Sequence, residues 1–376
     1  MIYFDNAATG YPKSERAFEA MKTAYFESGN AGRSGHDLAN EGARILFNCR
    51  KSTGELFGCE PEQVVLTKNA TEALNLAIKG AFTEENNINK KGEVLISSLE
   101  HNSVLRPVYA LCQNKGITKK QFKVDIYNDD KTVENFEKAI SKKTSMVVCI
   151  HASNVCGRIL PIKRLVEKAK KHNIIFILDA SQTAGHFPVT FEELGADIIC
   201  LPGHKGLYGP MGTGLLLINQ KSHLYFKTIM EGGSGTRSLE KEMPLFLPER
   251  LEYGTQNNCG FAGLAAACEE LVYPVELHKV FEYLVEKMRI RDDIILYGEP
   301  KGNYDKYVPV LLFNKKDAYC EDVASMLNEK GIAVRAGYHC SPLAHIALGT
   351  IKKGGVRISF GRSNTIEEVD YLLNVL

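Results

Sequence analysis

Lys205 lies between an apolar run, Ile198-Ile199-Cys200-Leu201, and the glycine-rich stretch Gly203-His204-Lys205-Gly206-Leu207-Tyr208-Gly209-Pro210-Met211-Gly212-Thr213-Gly214. Glycines there let the backbone approach a bound group closely. An amine drawn out of water loses solvation and its pKa falls, so its neutral, nucleophilic form becomes available for imine formation with a carbonyl. Taken alone, such a lysine is more often a solvated surface residue. A second feature shifts that balance: Phe176-Ile177-Leu178 runs straight into Asp179. Three apolar residues ending in an acid read as a buried parallel strand meeting its carboxyl edge, where ligands sit in open α/β sheets. A carboxylate at that edge either caps the following turn or holds a pyridine nitrogen protonated. In the second role it makes the ring an electron sink, the central need of pyridoxal phosphate chemistry.

A phosphate would need its own site, and Val64-Val65-Leu66-Thr67-Lys68-Asn69-Ala70-Thr71 supplies one. A strand, a turn and an amphipathic helix follow in order, which places Ala70 and Thr71 at a helix N-terminus whose free N–H groups favour an anion. Thr71 as a plain N-cap is the competing reading. The run Glu93 to Ser97 followed by Leu99-Glu100-His101 repeats the arrangement. His101 there could stack on a flat ring, carry a proton, or be structural.

These residues need a scaffold that brings strand ends together. Strands near Val64, Val94, Val147, Ile175, Ile198 and Leu215 alternate with helical segments such as Val133 to Ile140 and Ile162 to His172, which predicts an α/β fold with a mainly parallel sheet covered on both faces. Beyond Gly260, helices from Ala265 to Leu271 and from Val275 to Met288 lead to a second, α+β unit. That unit has strands near Ile294, Val310, Val334 and Val356 and helices at Tyr319 to Lys330 and Ile366 to Leu373. The division expected is a large cofactor-binding domain over 15–268 and a smaller domain over 269–376.

Composition narrows the function classes. The 376 residues carry a formal net charge of +1 with acids and bases interspersed, which gives no footprint for nucleic acid. Lys168 to His172 reads as the solvated end of a helix. No apolar stretch is long enough to span a bilayer, and the first residues lack a basic region followed by an apolar one, so neither membrane nor export is expected. Ten cysteines without paired spacing argue against a disulfide scaffold and a zinc site, leaving no metal expected and a reducing cytoplasm as the fitting compartment. Nine of the ten, Cys149 in its apolar strand among them, read as small buried hydrophobes. Cys340 is the exception.

Taken in order, Tyr3-Phe4-Asp5-Asn6-Ala7-Ala8, Asn69-Ala70-Thr71-Glu72, Glu100-His101, Ser153-Asn154-Val155, Asp179-Ala180-Ser181-Gln182, Gly203-His204-Lys205, Gly254-Thr255, Arg335-Ala336-Gly337-Tyr338-His339-Cys340 and Val356-Arg357-Ile358-Ser359 span the whole chain. The sequence resembles the class V aminotransferases among the fold-type I pyridoxal phosphate enzymes, and within them the cysteine desulfurases and selenocysteine lyases. The resemblance implies a seven-stranded-type sheet in the large domain, with residues 1–14 packing on the small one. It implies pyridoxal 5'-phosphate as cofactor, with Lys205 as the imine lysine, Asp179 on the pyridinium nitrogen, His101 stacked on the ring and Gln182 on its phenolic oxygen. Ala70, Thr71 and His204 match the phosphate end, and Thr255 matches a threonine that reaches the phosphate of a neighbouring subunit. Asn154, which also borders the cofactor, and Arg357 match the groups that hold a substrate carboxylate, with Arg335 beside them.

Cys340 separates the subfamilies. Arg-x-Gly-x-His-Cys resembles the group with a short, ordered cysteine loop, and its thiol is the one that would take sulfur from L-cysteine as a persulfide while alanine leaves. Arg335 and His339 would raise its thiolate fraction, and His101 would carry the proton during carbon–sulfur cleavage. L-selenocysteine is the alternative substrate, and a transaminase-like enzyme acting on another amino acid is the alternative reaction. A sulfur-acceptor protein and a homodimer, to which Thr255 and the loop Glu231 to Arg237 point, complete the implied partners. Pro202 departs from the pattern where relatives place a phosphate-binding serine, and Tyr338 stands where the best-known members of the group have a second histidine. His345 reads as a surface helix residue.

Overall fold

The computed structural model describes residues 1–32, 35–88, 92–114, 116–274 and 276–376. A short strand β1 (Ile2–Tyr3) and two helices, α1 (Glu15–Glu27) and α2 (Asp37–Phe57), precede a regular alternation. It runs β2 (Val64–Thr67), α3 (Ala70–Gly80), β3 (Glu93–Ser97), α4 (Asn102–Cys112), β4 (Thr118–Phe122), α5 (Asp129–Ala139) and β5 (Thr144–Ile150). It continues through α6 (Ile162–Lys170), β6 (Ile175–Asp179), α7 (Phe191–Leu194), β7 (Ile198–Pro202) and β8 (Gly214–Ile218). These strands form one seven-stranded sheet in the order β2-β8-β7-β6-β5-β3-β4.

The pairs β3/β4, β3/β5, β5/β6 and β6/β7 are parallel, so β3, β5, β6 and β7 end at one edge. β8 runs antiparallel to both β7 and β2, which returns β2 to the common direction. The eleven residues between β7 and β8 are too few for a helical crossover, so the glycine-rich stretch is a reversal carrying Lys205 on the carboxyl edge. Alternate strand residues feed two separate cores. Phe176, Leu178, Ile199 and Leu201 face one cluster, while Ile175, Ile177, Ile198 and Cys200 face the other. Each fully buried Val, Leu or Ile contributes about 1.5–3 kcal/mol, which fixes the register and with it the strand ends.

The chain continues through α8 (Asn258–Glu269) and α9 (Leu277–Arg289) into β9 (Ile294–Tyr297), β10 (Val310–Lys315) and α10 (Cys320–Glu329). It ends with β11 (Ile332–Ala333), β12 (Arg335–Gly337), α11 (Pro342–Ala347), β13 (Gly355–Ser359) and α12 (Ile366–Val375). An antiparallel sheet in the order β12-β13-β10-β9 packs on a third core that includes Phe281, Leu284, Leu311, Phe313, Val323 and Val369. Phe4 joins that core, edge-on to Phe360 at 5.0 Å, and β1 pairs with β11.

Three details differ from the sequence-based expectation. The edge strand β4, Thr-Lys-Lys-Gln-Phe, has no apolar pattern because only Phe122 is buried. The strand expected near Val334 is two short ones, β11 and β12, divided at that residue. The helix expected from Val275 is α9, and Val275 itself lies outside the described residues.

Candidate active site

The carboxyl edge of the large sheet forms one wall of a cleft of about 230 Å³, and β12 and β13 supply Arg335 and Arg357 from the other side. Its lining includes Ala70, Thr71, His101, Asn154, Asp179, Gln182, His204, Lys205, Arg335 and Arg357. Two expected site residues lie outside this lining: Thr255 lines a separate pocket with Thr67, Lys68 and Gly212, and Cys340 lines an adjoining groove.

Lys205 is set by close backbone packing. A Cβ on Gly10 would come 2.4 Å from the Lys205 carbonyl oxygen, and one on Gly185, at φ +90°, would come 2.1 Å from that of Gly206. Only glycine lets the three segments meet there. Lys13 Nζ ties the loop down, donating to the carbonyls of His204 (2.7 Å) and Gly209 (3.0 Å). The Lys205 side chain lines the cleft, and burial lowers its pKa to about 8, with Asp179 pulling the other way and Arg357 and Arg335 adding to the fall.

Asp179 ends β6 and is buried. Its pKa is raised by that burial, against bonds from the Ser181 amide (3.0 Å) and hydroxyl and the charge of Lys205. Both bonds fall on Oδ1, so that oxygen caps the turn, and Asp179 also lines the cleft. Gln182 donates to the Ala7 carbonyl at 3.1 Å. His101 is the N-cap of α4, its Nδ1 accepting from the Ser103 amide at 3.1 Å. That bond puts the proton of the neutral ring on Nε2. Burial, then the cations Lys205, Arg335, Arg357 and Arg106, lower the His101 pKa to about 3, so it presents a neutral imidazole.

The anion end is built as α3 begins. Asn69, not Thr71, is the N-cap, its side chain accepting from Glu72 N at 2.9 Å. The first-turn amides of Ala70 and Thr71 therefore have no intrahelical acceptor and border the cleft with the Thr71 hydroxyl. Gly214 permits this, since a Cβ there would meet the Asn69 backbone at 2.5 Å. His204 adds a ring whose Nδ1 lies 3.1 Å from Thr9 Oγ1 and whose pKa is lowered to about 4 by burial and by Lys205 and Lys13. Pro202 lines the same end and offers no donor.

Arg357 enters from β13 at 1% exposure, bonded to Asp5 Oδ1 at 2.6 Å and to the Asn154 carbonyl at 3.0 Å, with Nε unpartnered. Asn154 donates to the His339 carbonyl at 2.9 Å and accepts from the Ser341 hydroxyl at 2.6 Å, so its amide holds the cysteine loop. Removing the Asp5 charge would leave the buried guanidinium unpaired. Asp5→Asn is expected to lower the unfolding free energy by about 2–4 kcal/mol, read by urea denaturation.

Cys340 is exposed and follows His339 in left-handed backbone, φ 52° then 55°. Non-glycine residues hold that conformation only where surroundings impose it. The Cys340 carbonyl accepts from the Asn102 amide at 2.8 Å, docking the loop on the start of α4. Its thiol faces an open groove of about 360 Å³ that shares Thr71, His101 and Ser103 with the cleft. Arg335 Nη2 lies 3.8 Å from Sγ. His339 does not assist the thiol as expected: its ring is buried against His345, and burial with Arg357 nearby holds it neutral.

The cleft thus combines a depressed lysine, a buried carboxylate, a neutral imidazole, free amides for an anion and an exposed thiol at the adjoining mouth. Residues 2–372 match the profile of the family described as Aminotransferase class-V. The chain belongs to the class V aminotransferase family. Among curated class V relatives, a probable cysteine desulfurase of Pyrococcus abyssi is 35% identical, covering 100% of this chain and 93% of that protein. The cysteine desulfurase of Haloferax volcanii is 30% identical, with 100% and 88% covered. The solved cysteine desulfurase of Thermococcus onnurineus NA1 superposes with a TM-score of 0.89 at 31% identity, covering 100% of this chain and 93% of that one. The Escherichia coli cysteine desulfurase CsdA gives 0.85 at 25%, covering 99% and 93%.

Sequence reasoning gave no role to several residues of this class V site. Asp5 sits inside a quoted motif without a role of its own. Lys13 is an isolated lysine after a turn, with no periodicity to mark it. Glu100 is fully buried beside Asp179, accepting from the Ile150 amide at 2.9 Å, and burial raises its pKa to about 8. His345, expected on a helix surface, is 0% exposed, because α11 turns it inward beneath the cysteine loop. Cys59, Cys112 and Cys259, expected to be core, are only half-buried.

Proposed function

We propose that this class V aminotransferase is a pyridoxal phosphate-dependent cysteine desulfurase that takes sulfur from L-cysteine onto Cys340 and releases L-alanine. The observation that carries the reading is the exposed thiol on a strained, docked loop at the mouth of a cleft floored by Lys205 and Asp179. A plain transaminase has no use for that thiol.

The lining fits the cofactor. The α3 amides, Thr71 and His204 would hold its phosphate, Asp179 its ring nitrogen, Gln182 its phenolic oxygen and His101 one ring face, while Lys205 would bind its aldehyde carbon. When bound, the cofactor supplies an electron sink for charge developing at the substrate α-carbon. The Lys205 amine, neutral above about pH 8, is the base placed to take the α-proton. Arg357 with its free Nε, Arg335 and Asn154 orient the substrate carboxylate. Cys340 Sγ attacks the substrate sulfur: an S–S bond forms, the Cβ–S bond breaks, and its electron pair stays with the carbon skeleton. Protonation through Lys205 and His101 completes alanine. L-Cysteine and the thiol become L-alanine and a persulfide, with no external oxidant.

We read residues 15–268 as the cofactor-binding domain and 269–376, with 1–14, as the domain carrying the thiol and Arg357. Exposed Phe18, Tyr25, Phe26 and Phe47 on α1 and α2 support a homodimer, in which Thr255 would reach the partner's phosphate. A sulfur-acceptor protein would meet the groove at Cys340, in a reducing cytoplasm that keeps the thiol free. No helix among the described residues is long and apolar enough to cross a membrane.

Anaerobic incubation of the cofactor-loaded protein with L-cysteine and dithiothreitol is expected to give alanine and sulfide in equal amounts. Alanine from L-selenocysteine alone would make it a selenocysteine lyase. Alanine from neither substrate would refute the proposal.

A further inference from the structure

His345 sits beneath the Cys340 loop as part of a buried chain of side chains. His345 Nδ1 lies 2.7 Å from Thr350 Oγ1, His345 Nε2 lies 3.1 Å from His339 Nδ1, and His339 Nε2 lies 3.2 Å from the Arg335 carbonyl. The two rings stack at 13° with centroids 5.4 Å apart, and Tyr338 closes one side edge-on at 5.6 Å.

The acceptors permit one proton arrangement. A carbonyl oxygen only accepts, so His339 carries its proton on Nε2 and accepts at Nδ1. His345 must then donate from Nε2 and accept at Nδ1, where the Thr350 hydroxyl donates. Both rings are neutral in this arrangement, and burial keeps both pKa values low, that of His345 at about 4. A proton added to His339 Nδ1 would set two N–H groups facing each other, and one added to His345 Nδ1 would turn the Thr350 hydroxyl from donor to acceptor.

The chain ends at the two features that present the thiol. His339 is the first of the two left-handed residues, and among the described residues its ring bonds only within this chain. The Arg335 carbonyl belongs to the residue whose guanidinium lies beside Sγ. We propose that His345 is the positioning residue of Cys340, holding the His339–Cys340 turn and its register on Arg335 through this single-tautomer relay. The inference rests on the assignment of Cys340 as the sulfur-accepting thiol.

The test compares wild type, His345→Phe, which keeps a ring and removes both bonds, and His345→Gln, which keeps a donor and an acceptor. Each holoenzyme is assayed with L-cysteine and with L-cysteine sulfinate, whose sulfur leaves as sulfur dioxide without a thiol acceptor. Loss of buried hydrogen bonds at the loop is expected to lower His345→Phe turnover of L-cysteine about tenfold. Sulfinate turnover is expected to stay within about twofold and His345→Gln to recover to within about threefold of wild type. In the cofactor-free protein, iodoacetamide alkylation of Cys340 is expected to slow about threefold or more in His345→Phe, as the thiol leaves Arg335. Equal losses on both substrates, no loss on L-cysteine, or a His345→Gln variant no better than His345→Phe would overturn the proposal. If Cys340→Ala kept full L-cysteine turnover, the functional reading would fall instead, and the alkylation rates alone would decide the positioning role.

Discussion

Lys205→Ala is expected to reduce L-cysteine turnover roughly a thousandfold or more, the scale of losing a positioned proton-transfer group. The cleft's other cation groups cannot take its place as base: Arg335 and Arg357 are guanidinium ions that stay protonated, and His101 uses Nδ1 to cap α4 and carries a proton on Nε2, so it can give a proton but has no free site to take one. The same residue gives the pH dependence a definite sign. Burial moves the Lys205 pKa from 10.5 down to about 8, so the neutral amine grows as pH rises to about 8 and changes little above it. Capture of added pyridoxal phosphate by the cofactor-free protein, followed by absorbance, is therefore expected to accelerate up to that point and then level off. An acceleration continuing toward pH 10 would show an ordinary, solvated lysine.

Cys340→Ala is expected to separate two reactions that share every other group. With L-cysteine, turnover falls roughly a hundredfold or more, because the sulfur has no nucleophile to receive it. With L-cysteine sulfinate, turnover stays near wild type, since α-proton removal by Lys205 and substrate orientation by Arg357 are untouched. Turnover of L-cysteine indifferent to the substitution would favour a transaminase-like enzyme in which the thiol is structural. Cys340 has no packing role to confuse the result: it is exposed, and the loop is held by the backbone bond to Asn102 and by Asn154, His339 and Ser341.

The sheet and its functional edge were legible in the sequence because apolar runs with two-faced burial have a plain signature. β6 and β7 are buried throughout, and Asp179 and Lys205 mark the points where the pattern stops. The direction of β8 was not legible from its apolar run, since a two-faced buried strand looks alike in either direction. Only the shortness of the glycine-rich connection carries that information. β4 left no trace because its polar residues face water at the sheet edge. His345 was misjudged for a physical reason as well. A six-residue helix is too short to show an amphipathic period, and a buried histidine is identified by partners distant in space, not by its neighbours in sequence. Asp5 and Lys13 escaped notice for the same reason, since Arg357 and the Lys205 loop reach them only through the tertiary fold.

The most direct test of the central claim is the mass of the protein after a single anaerobic turnover of L-cysteine without reductant, followed by peptide mapping. The expected result is one added sulfur atom on Cys340 for each alanine formed, absent in Cys340→Ala. Alanine formed without added sulfur, or sulfur retained by the Cys340→Ala protein, would contradict the account.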